Sequence, residues 1–119
     1  MPSDHEQTSR LIVANNVGAV CWCGCCRTFR CHLPDVTLRF SPAAFFAFRH
    51  VVRQLSINLY WRGREGKEEP TVVTMQVGTP STMLKLTPTE VSELHSLMEE
   101  GCSQTLLYHP EAWPEYLLN

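Results

Sequence analysis

Cysteines are the most prominent residues in this chain that could do chemistry. Five of the six cysteines lie between residues 21 and 31, and His32 follows directly. Thiolate and imidazole groups are preferred zinc ligands. A pair of thiols can instead form a reversible disulfide, and a buried cysteine can pack as a small apolar side chain. The spacing therefore leaves three interpretations open: a metal site, a redox dithiol and simple packing.

Zinc geometry restricts how these cysteines could act as ligands. On an extended strand alternate sulfurs would lie about 6–7 Å apart, whereas tetrahedral zinc needs its sulfurs about 3.8 Å apart. A turn is therefore required, and Gly24 can supply one because glycine tolerates positive φ. The predicted zinc ligands are Cys21, Cys23 and Cys26, with Cys31 or His32 as the fourth.

The redox alternative uses Cys23 and Cys26, which form a C-x-x-C sequence. Such a pair needs a thiolate stabilised by a helix N-terminus or a nearby positive charge. Arg27 and Arg30 provide charge, but the residues after Cys26 alternate like a strand rather than a helix. The similarity to thioredoxin-like sites is therefore weak, although the dithiol interpretation stays open.

Motifs for other kinds of chemistry are absent from the sequence. The histidines form no i, i+4 pair, and there is no glycine-rich phosphate loop, nucleophile elbow or dinucleotide fingerprint. We therefore favour a small binding or regulatory module, in which the cysteines could hold zinc, and keep a thiol redox protein that uses Cys23 and Cys26 as the alternative; an enzyme is the less favoured class. The sequence does not define the biochemical activity.

Length and composition indicate a single domain over residues 1–119. The net charge of −2 gives no electrostatic reason to expect binding to nucleic acid or to an anionic membrane. No apolar run approaches the roughly 20 residues that cross a bilayer. The first ten residues lack the apolar segment of a secretory signal. We therefore expect a cytoplasmic protein, in which stable disulfides are uncommon.

The elements that must position the cysteines follow a pattern that occurs twice. Residues 38–42 (LRFSP) align with residues 84–88 (LKLTP), and an apolar stripe of helical period follows each. The predicted repeats cover residues 10–55 and 56–101, and each contains two or three strands followed by a helix. The predicted fold class is α+β, with two helices packed on antiparallel sheet. The additional strands are expected near residues 11–14 and 57–61.

Both helices have clear start signals. Ser41 and Thr87 are good N-cap residues, each followed by proline, and a glutamate three residues after Thr87 completes a capping box. We expect helices over residues 42–55 and 88–100, with Gly101 ending the second. The predicted buried faces contain Phe45, Phe48, Val52 and Leu55 in the first helix and Val91, Leu94, Leu97 and Met98 in the second.

Three remaining features concern the surface. The charged residues 62–70 are expected to form a surface loop. Residues 102–119 are too apolar for a free tail, so we expect them to dock on their own domain or on a second subunit. Phe46 breaks the amphipathic pattern of the first helix. Together with the apolar tail, it favours a homodimer.

A resemblance covers residues 21–55. This stretch resembles a family of small, uncharacterised bacterial proteins that combine an N-terminal C-x-C-G element with an S-P-x-x-F helix. The resemblance implies a bacterial cytoplasmic domain and carries no activity with it. The matching residues are Cys21, Cys23, Gly24, Leu38, Ser41, Pro42, Phe45 and Phe48.

Overall fold

The computed structural model describes residues 9–68, 72–78 and 81–117. The first four strands form an antiparallel sheet in sequential order, and the last two strands form a separate hairpin. The predicted α+β class, with two helices packed against antiparallel sheet, is confirmed. The elements in chain order are β1 (Ser9–Ala14), β2 (Ala19–Cys23), β3 (Thr28–His32), β4 (Thr37–Phe40), α1 (Pro42–Arg64), β5 (Val73–Val77), β6 (Thr82–Leu86), α2 (Pro88–Tyr108) and two 3₁₀ turns (Pro110–Ala112 and Glu115–Leu117).

Aromatic side chains join the four-stranded sheet to α1. Phe45 stacks on Phe29 with ring centroids 4.1 Å apart, and Phe48 stacks on Phe40 at 4.9 Å. Trp22 packs against Phe29 at 4.8 Å, and all five rings are buried. Both sheets and both helices contribute to the same cluster of buried residues, which confirms the predicted buried faces of the helices except for Leu55, which is half-buried.

The predicted helix starts are confirmed by their hydrogen bonds. The Ser41 hydroxyl accepts from the Ala44 N–H at 3.2 Å. The Thr87 hydroxyl accepts from the Glu90 N–H at 3.1 Å, and the Glu90 carboxylate accepts from the Thr87 N–H at 2.9 Å. Each bond satisfies a backbone N–H that has no partner within its helix.

The first helix is longer than predicted, and the strand predicted near residues 57–61 is wrong. Helix α1 continues to Arg64. The half-buried Leu55 and Leu59 continue the stripe that begins with Phe45, at helical spacing, and pack against the core. Arg62 and Arg64 in the last turn interact favourably with the C-terminal end of the helix dipole.

The second helix also continues beyond its predicted end at residue 100, to Tyr108. Gly101 lies inside α2 and is buried, so it does not end the helix. A Cβ atom at Gly101 would lie 3.2 Å from the Phe45 ring and 3.5 Å from Val13. The glycine therefore permits close contact between α2, α1 and the sheet. In the part of the chain that the structure describes, neither helix is both long enough and apolar enough to cross a bilayer.

The segment after Gly101 packs on the rest of the molecule at some positions and is exposed at others. Cys102 and Thr105 are buried within α2, and Ala112 is buried in the turn that follows. The Trp113 indole N–H donates to the Thr105 carbonyl at 3.0 Å. Residues 118–119 lie outside the described part of the chain.

The internal repeat over residues 10–55 and 56–101 stays a prediction, although the two halves of the chain share part of their element order. A hairpin, a capped N-terminus and a helix occur in both halves of the chain. The third strand of the second unit is missing because residues 57–61 are helical. A common origin of the two units stays a prediction. Of the predicted surface loop, residues 62–64 belong to α1, residues 65–68 follow it, and residues 69–70 are outside the described residues.

Candidate metal centre

The turn between β2 and β3 holds most of the cysteine cluster. The two strands pair from Ala19 and His32 to Cys23 and Thr28, so residues 24–27 form the connecting turn. Arg27 has a φ of 52°, a left-handed conformation that is uncommon outside glycine. We expected Gly24 to supply the positive φ, but Arg27 supplies it. This conformation reverses the chain immediately after Cys26.

Three sulfurs converge at this turn. The Sγ atoms of Cys23, Cys25 and Cys26, which we call the thiol triad, all lie within 4.8 Å of one another. The Cys23 and Cys25 sulfurs are 3.5 Å apart. Tetrahedral zinc holds its sulfurs about 3.8 Å apart, so side-chain adjustments of about 1 Å would complete the spacing. The thiol triad can therefore hold a metal ion.

The members of the triad differ in exposure. Cys23 ends β2 and is 1% exposed, whereas Cys25 and Cys26 are exposed. The Cys26 sulfur also lies 3.1 Å from the Thr28 hydroxyl. One sulfur is thus anchored in the core while the other two can be reached from solvent. Among residues 9–68, 72–78 and 81–117, no fourth histidine, cysteine or acidic side chain joins the group.

Arg27 brings a positive charge next to the triad in sequence. Its guanidinium carbon lies 5.9 Å from the centroid of the Trp22 ring. Its Nη1 atom donates to the Glu111 carbonyl at 3.3 Å. These contacts connect the turn to the sheet and to the first 3₁₀ turn.

The structure brings together two of the residues predicted as ligands and leaves three outside the triad. Cys21 pairs with Arg30 across the sheet, and Cys31 pairs with Val20 on the face turned to the core. Because successive strand residues point to opposite faces, Cys21 and Cys31 lie on opposite faces of the sheet. His32 is exposed at the end of β3, where its Nδ1 atom lies 3.1 Å from the Thr37 hydroxyl.

Burial distinguishes the remaining cysteines chemically. Loss of solvation raises the pKa of Cys31 to about 12, from an ordinary value of 9.0, and the neighbouring Cys21 thiol also acts in this direction. Loss of solvation likewise raises the pKa of Cys102 to about 12, although Arg49 opposes the shift. Burial also raises the pKa of Cys21, against the opposing charge of Arg30. These thiols stay protonated at neutral pH, and for Cys31 and Cys102 packing is a sufficient explanation.

Cys25 is the member of the triad that sequence reasoning missed. The prediction treated the cysteine cluster as an alternating strand. It chose Cys23 and Cys26 of the C-x-x-C sequence as the cysteines that act together. In the actual turn, residues 24–27 no longer alternate, so Cys25 approaches Cys23. The adjacent cysteines after Gly24 were the available signal, because a glycine between thiols favours a tight turn.

Residues 5–116 match a family of unknown function, DUF6686. The chain therefore belongs to this family, which agrees with the expected small uncharacterised family. No curated protein matches the chain significantly, and neither does any solved structure.

Proposed function

We propose that this member of the DUF6686 family is a small metal-binding module that holds one zinc ion through Cys23, Cys25 and Cys26. The observation that carries the proposal is the convergence of three sulfurs within 4.8 Å on one hairpin turn. Thiolates are soft ligands well suited to zinc. Packing does not account for Cys25 and Cys26, because both are exposed. The proposal fits a reducing compartment such as the cytoplasm, where thiols stay reduced.

Charge balance supports an ion at this position. Three thiolates and one divalent zinc ion carry a net charge of −1 together. Arg27 follows Cys26 directly in sequence and forms no salt bridge within the described residues, so a positive charge without an acidic partner lies next to the triad along the chain. A positive charge near the sulfurs would favour the deprotonated thiols that zinc requires.

An ion held by three protein sulfurs keeps a fourth coordination position for water or for another molecule. Structural zinc sites normally use four protein ligands, whereas sites with three keep one position open for exchange or chemistry. The exposure of Cys25 and Cys26 suits this second type. We therefore propose a binding or regulatory role in which the ion is accessible, rather than one in which it only holds the fold together.

Metal analysis of protein purified without chelator tests the proposal. We expect one zinc ion per chain, and we expect cobalt substitution to produce the thiolate-to-cobalt absorption bands of a thiolate-rich tetrahedral site. Cys25→Ser and Cys26→Ser should each abolish stoichiometric binding while leaving the far-ultraviolet circular dichroism unchanged. Cys21→Ser is the matched control, because this cysteine lies in the same strand as Cys23 but outside the triad, and it should bind normally.

Two outcomes would contradict this assignment. Protein that contains no metal and binds no added zinc or cobalt under reducing conditions would exclude the proposed function. Loss of binding in Cys21→Ser, with retained binding in Cys25→Ser, would instead favour the ligands predicted from the sequence pattern.

The 3.5 Å contact between the Cys23 and Cys25 sulfurs favours a second candidate function, a redox dithiol. Oxidation would join the two sulfurs as the thiols transfer two electrons and two protons to a disulfide of another molecule, which becomes two thiols. The C-x-x-C pattern pairs Cys23 with Cys26 instead. Mass spectrometry after equilibration with a glutathione redox buffer would show a reversible loss of two hydrogens and identify the pair. Metal-free protein with such a disulfide would replace the zinc assignment.

A further inference from the structure

A second feature of interest is a cleft that Arg27 also lines. The cleft has a volume of about 560 Å³ and lies between the β2–β3 turn, the start of α1 and the 3₁₀ turns at the C-terminal end. This volume falls within the roughly 300–1,000 Å³ typical of pockets for small organic ligands. The walls besides Arg27 include Ser41, Pro42, Trp113, Glu115 and Tyr116.

Two of these side chains are held in position before any ligand arrives. The Arg27 guanidinium donates to the Glu111 carbonyl and lies over the Trp22 ring. The Trp113 indole N–H donates to the Thr105 carbonyl. A guanidinium has five N–H donors, and this contact uses one of them. A ligand would therefore meet a positioned cation and a positioned aromatic wall, which lowers the entropy lost on binding.

The cleft presents both signs of charge. Arg27 and Glu115 both line it, and in the described part of the chain they form no ion pair with each other. A simple anion would be attracted by Arg27 but would also meet the Glu115 carboxylate, and a simple cation would meet the Arg27 guanidinium. A molecule that carries both charges satisfies both side chains.

We propose that this cleft binds a free α-amino acid with a large apolar side chain. The ligand carboxylate pairs with Arg27 and the ammonium group pairs with Glu115. The apolar side chain lies against the rings of Trp113 and Tyr116, where burial of apolar surface adds affinity. The inference rests on the residues that line the cleft and does not require a metal ion at the thiol triad.

Titrations monitored by amide and indole NMR resonances test the proposal. We expect L-phenylalanine to cause saturable shifts at Arg27, Trp113 and Tyr116. L-phenylalanine amide lacks the carboxylate and N-acetyl-L-phenylalanine lacks the ammonium group, so each should bind at least about tenfold more weakly, the effect of losing one charge-assisted hydrogen bond.

Variants with matched controls complete the test. Arg27→Gln and Glu115→Gln should each weaken binding of L-phenylalanine by about tenfold or more. Arg39→Gln and Glu100→Gln remove exposed charges elsewhere and should leave the affinity unchanged. Glu115→Gln keeps the test decisive even if Arg27→Gln disturbs the turn, because Glu115 lies in an exposed 3₁₀ turn and has no role in the thiol triad.

Three results would overturn the proposal. One is the absence of saturable shifts at about 10 mM L-phenylalanine, well above a weak dissociation constant of about 1 mM. The second is equal binding of the amide or the acetylated analogue. The third is unchanged affinity in the Glu115→Gln variant.

Discussion

At the scale of single residues, Phe45 anchors the contact between α1 and the sheet. It is fully buried and stacks on Phe29, whereas its neighbour Phe46 is half-buried and meets Phe45 edge-on at 5.9 Å. We predict that Phe45→Ala lowers the free energy of unfolding by about 3–5 kcal/mol and that Phe46→Ala lowers it much less. Urea unfolding of the two variants measures both values. Equal decreases in the free energy of unfolding would show that Phe46 contributes as much to the packing as Phe45.

Buried Cys31 makes stability depend on pH in the alkaline range. Its pKa is about 12 in the folded protein and 9.0 without burial, so above pH 9 the unfolded chain loses a proton that the folded protein keeps. The contribution of this thiol to stability is complete below pH 9 and is lost as the pH rises from 9 towards 12. We predict that Cys31→Ala unfolds with a smaller alkaline loss of stability than the unmodified protein.

Urea unfolding at about pH 8 and about pH 10.5 measures that difference, since these values lie on either side of the ordinary cysteine pKa. The comparison is between the pH slopes of the variant and of the unmodified protein, so that contributions shared by both proteins cancel. Identical slopes for the variant and the unmodified protein would mean that Cys31 ionises as readily in the fold as in the unfolded chain.

At the scale of elements, the capping box of α2 is the best-defined local signal. We predict that Thr87→Ala lowers the free energy of unfolding by about 1 kcal/mol, because the Glu90 N–H loses its hydroxyl acceptor. Thr89→Ala is the matched control: this exposed threonine lies in the first turn of the same helix and should have little effect. Chemical denaturation of both variants provides the measurement, and similar losses in the two would contradict a specific capping role.

The helix starts could be predicted from sequence because the signals are local. Ser-Pro and Thr-Pro fix an extended residue followed by a helical one, and only nearby atoms are involved. The helix ends depended on distant partners. Gly101 looks like a stop signal, yet it is required where Phe45 and Val13 approach α2. Residues 57–61 alternate like a strand, yet they continue α1 because Leu55 and Leu59 pack on the core.

The candidate site was predictable only to the level of the segment. The density of cysteines pointed to the segment that contains the thiol triad, and the sulfurs of Cys23 and Cys26 lie within 4.8 Å of each other. Which other sulfur joins them depends on the conformation of the turn, and the positive φ at Arg27 has no clear sequence signature. The cleft was not predictable, because its walls come from three separate segments of the chain.

At the scale of the whole molecule, the exposed apolar side chains are numerous. Tyr60 and Trp61 on α1 are 60% and 54% exposed, and Leu107 and Tyr108 on α2 are 67% and 66% exposed. Phe46, which the sequence suggested as an interface residue, is half-buried and packs partly against the core. Exposed apolar surface of this extent favours association.

We predict a homodimer, since two-fold dimers are the commonest soluble assemblies. Light scattering over a range of concentrations should give a particle of twice the 13.6 kDa chain mass. Trp61→Glu and Leu107→Glu, measured separately, would identify which helix surface lies in the dimer interface, because a charge placed in the interface should dissociate the dimer. A 13.6 kDa particle at all concentrations would exclude association.

The sulfurs of the thiol triad belong to residues 23–26, so they are neighbours along the chain as well as in space. Bringing such close neighbours together costs an unfolded chain little loop-closure entropy. A metal ion that binds these sulfurs would therefore also bind the unfolded chain, and would add little to the stability of the fold. The ion could be loaded during synthesis, before the helices form. The protein could also transfer the ion later to a molecule that binds it more tightly, while the fold remains intact. This property suits a carrier or a sensor of metal.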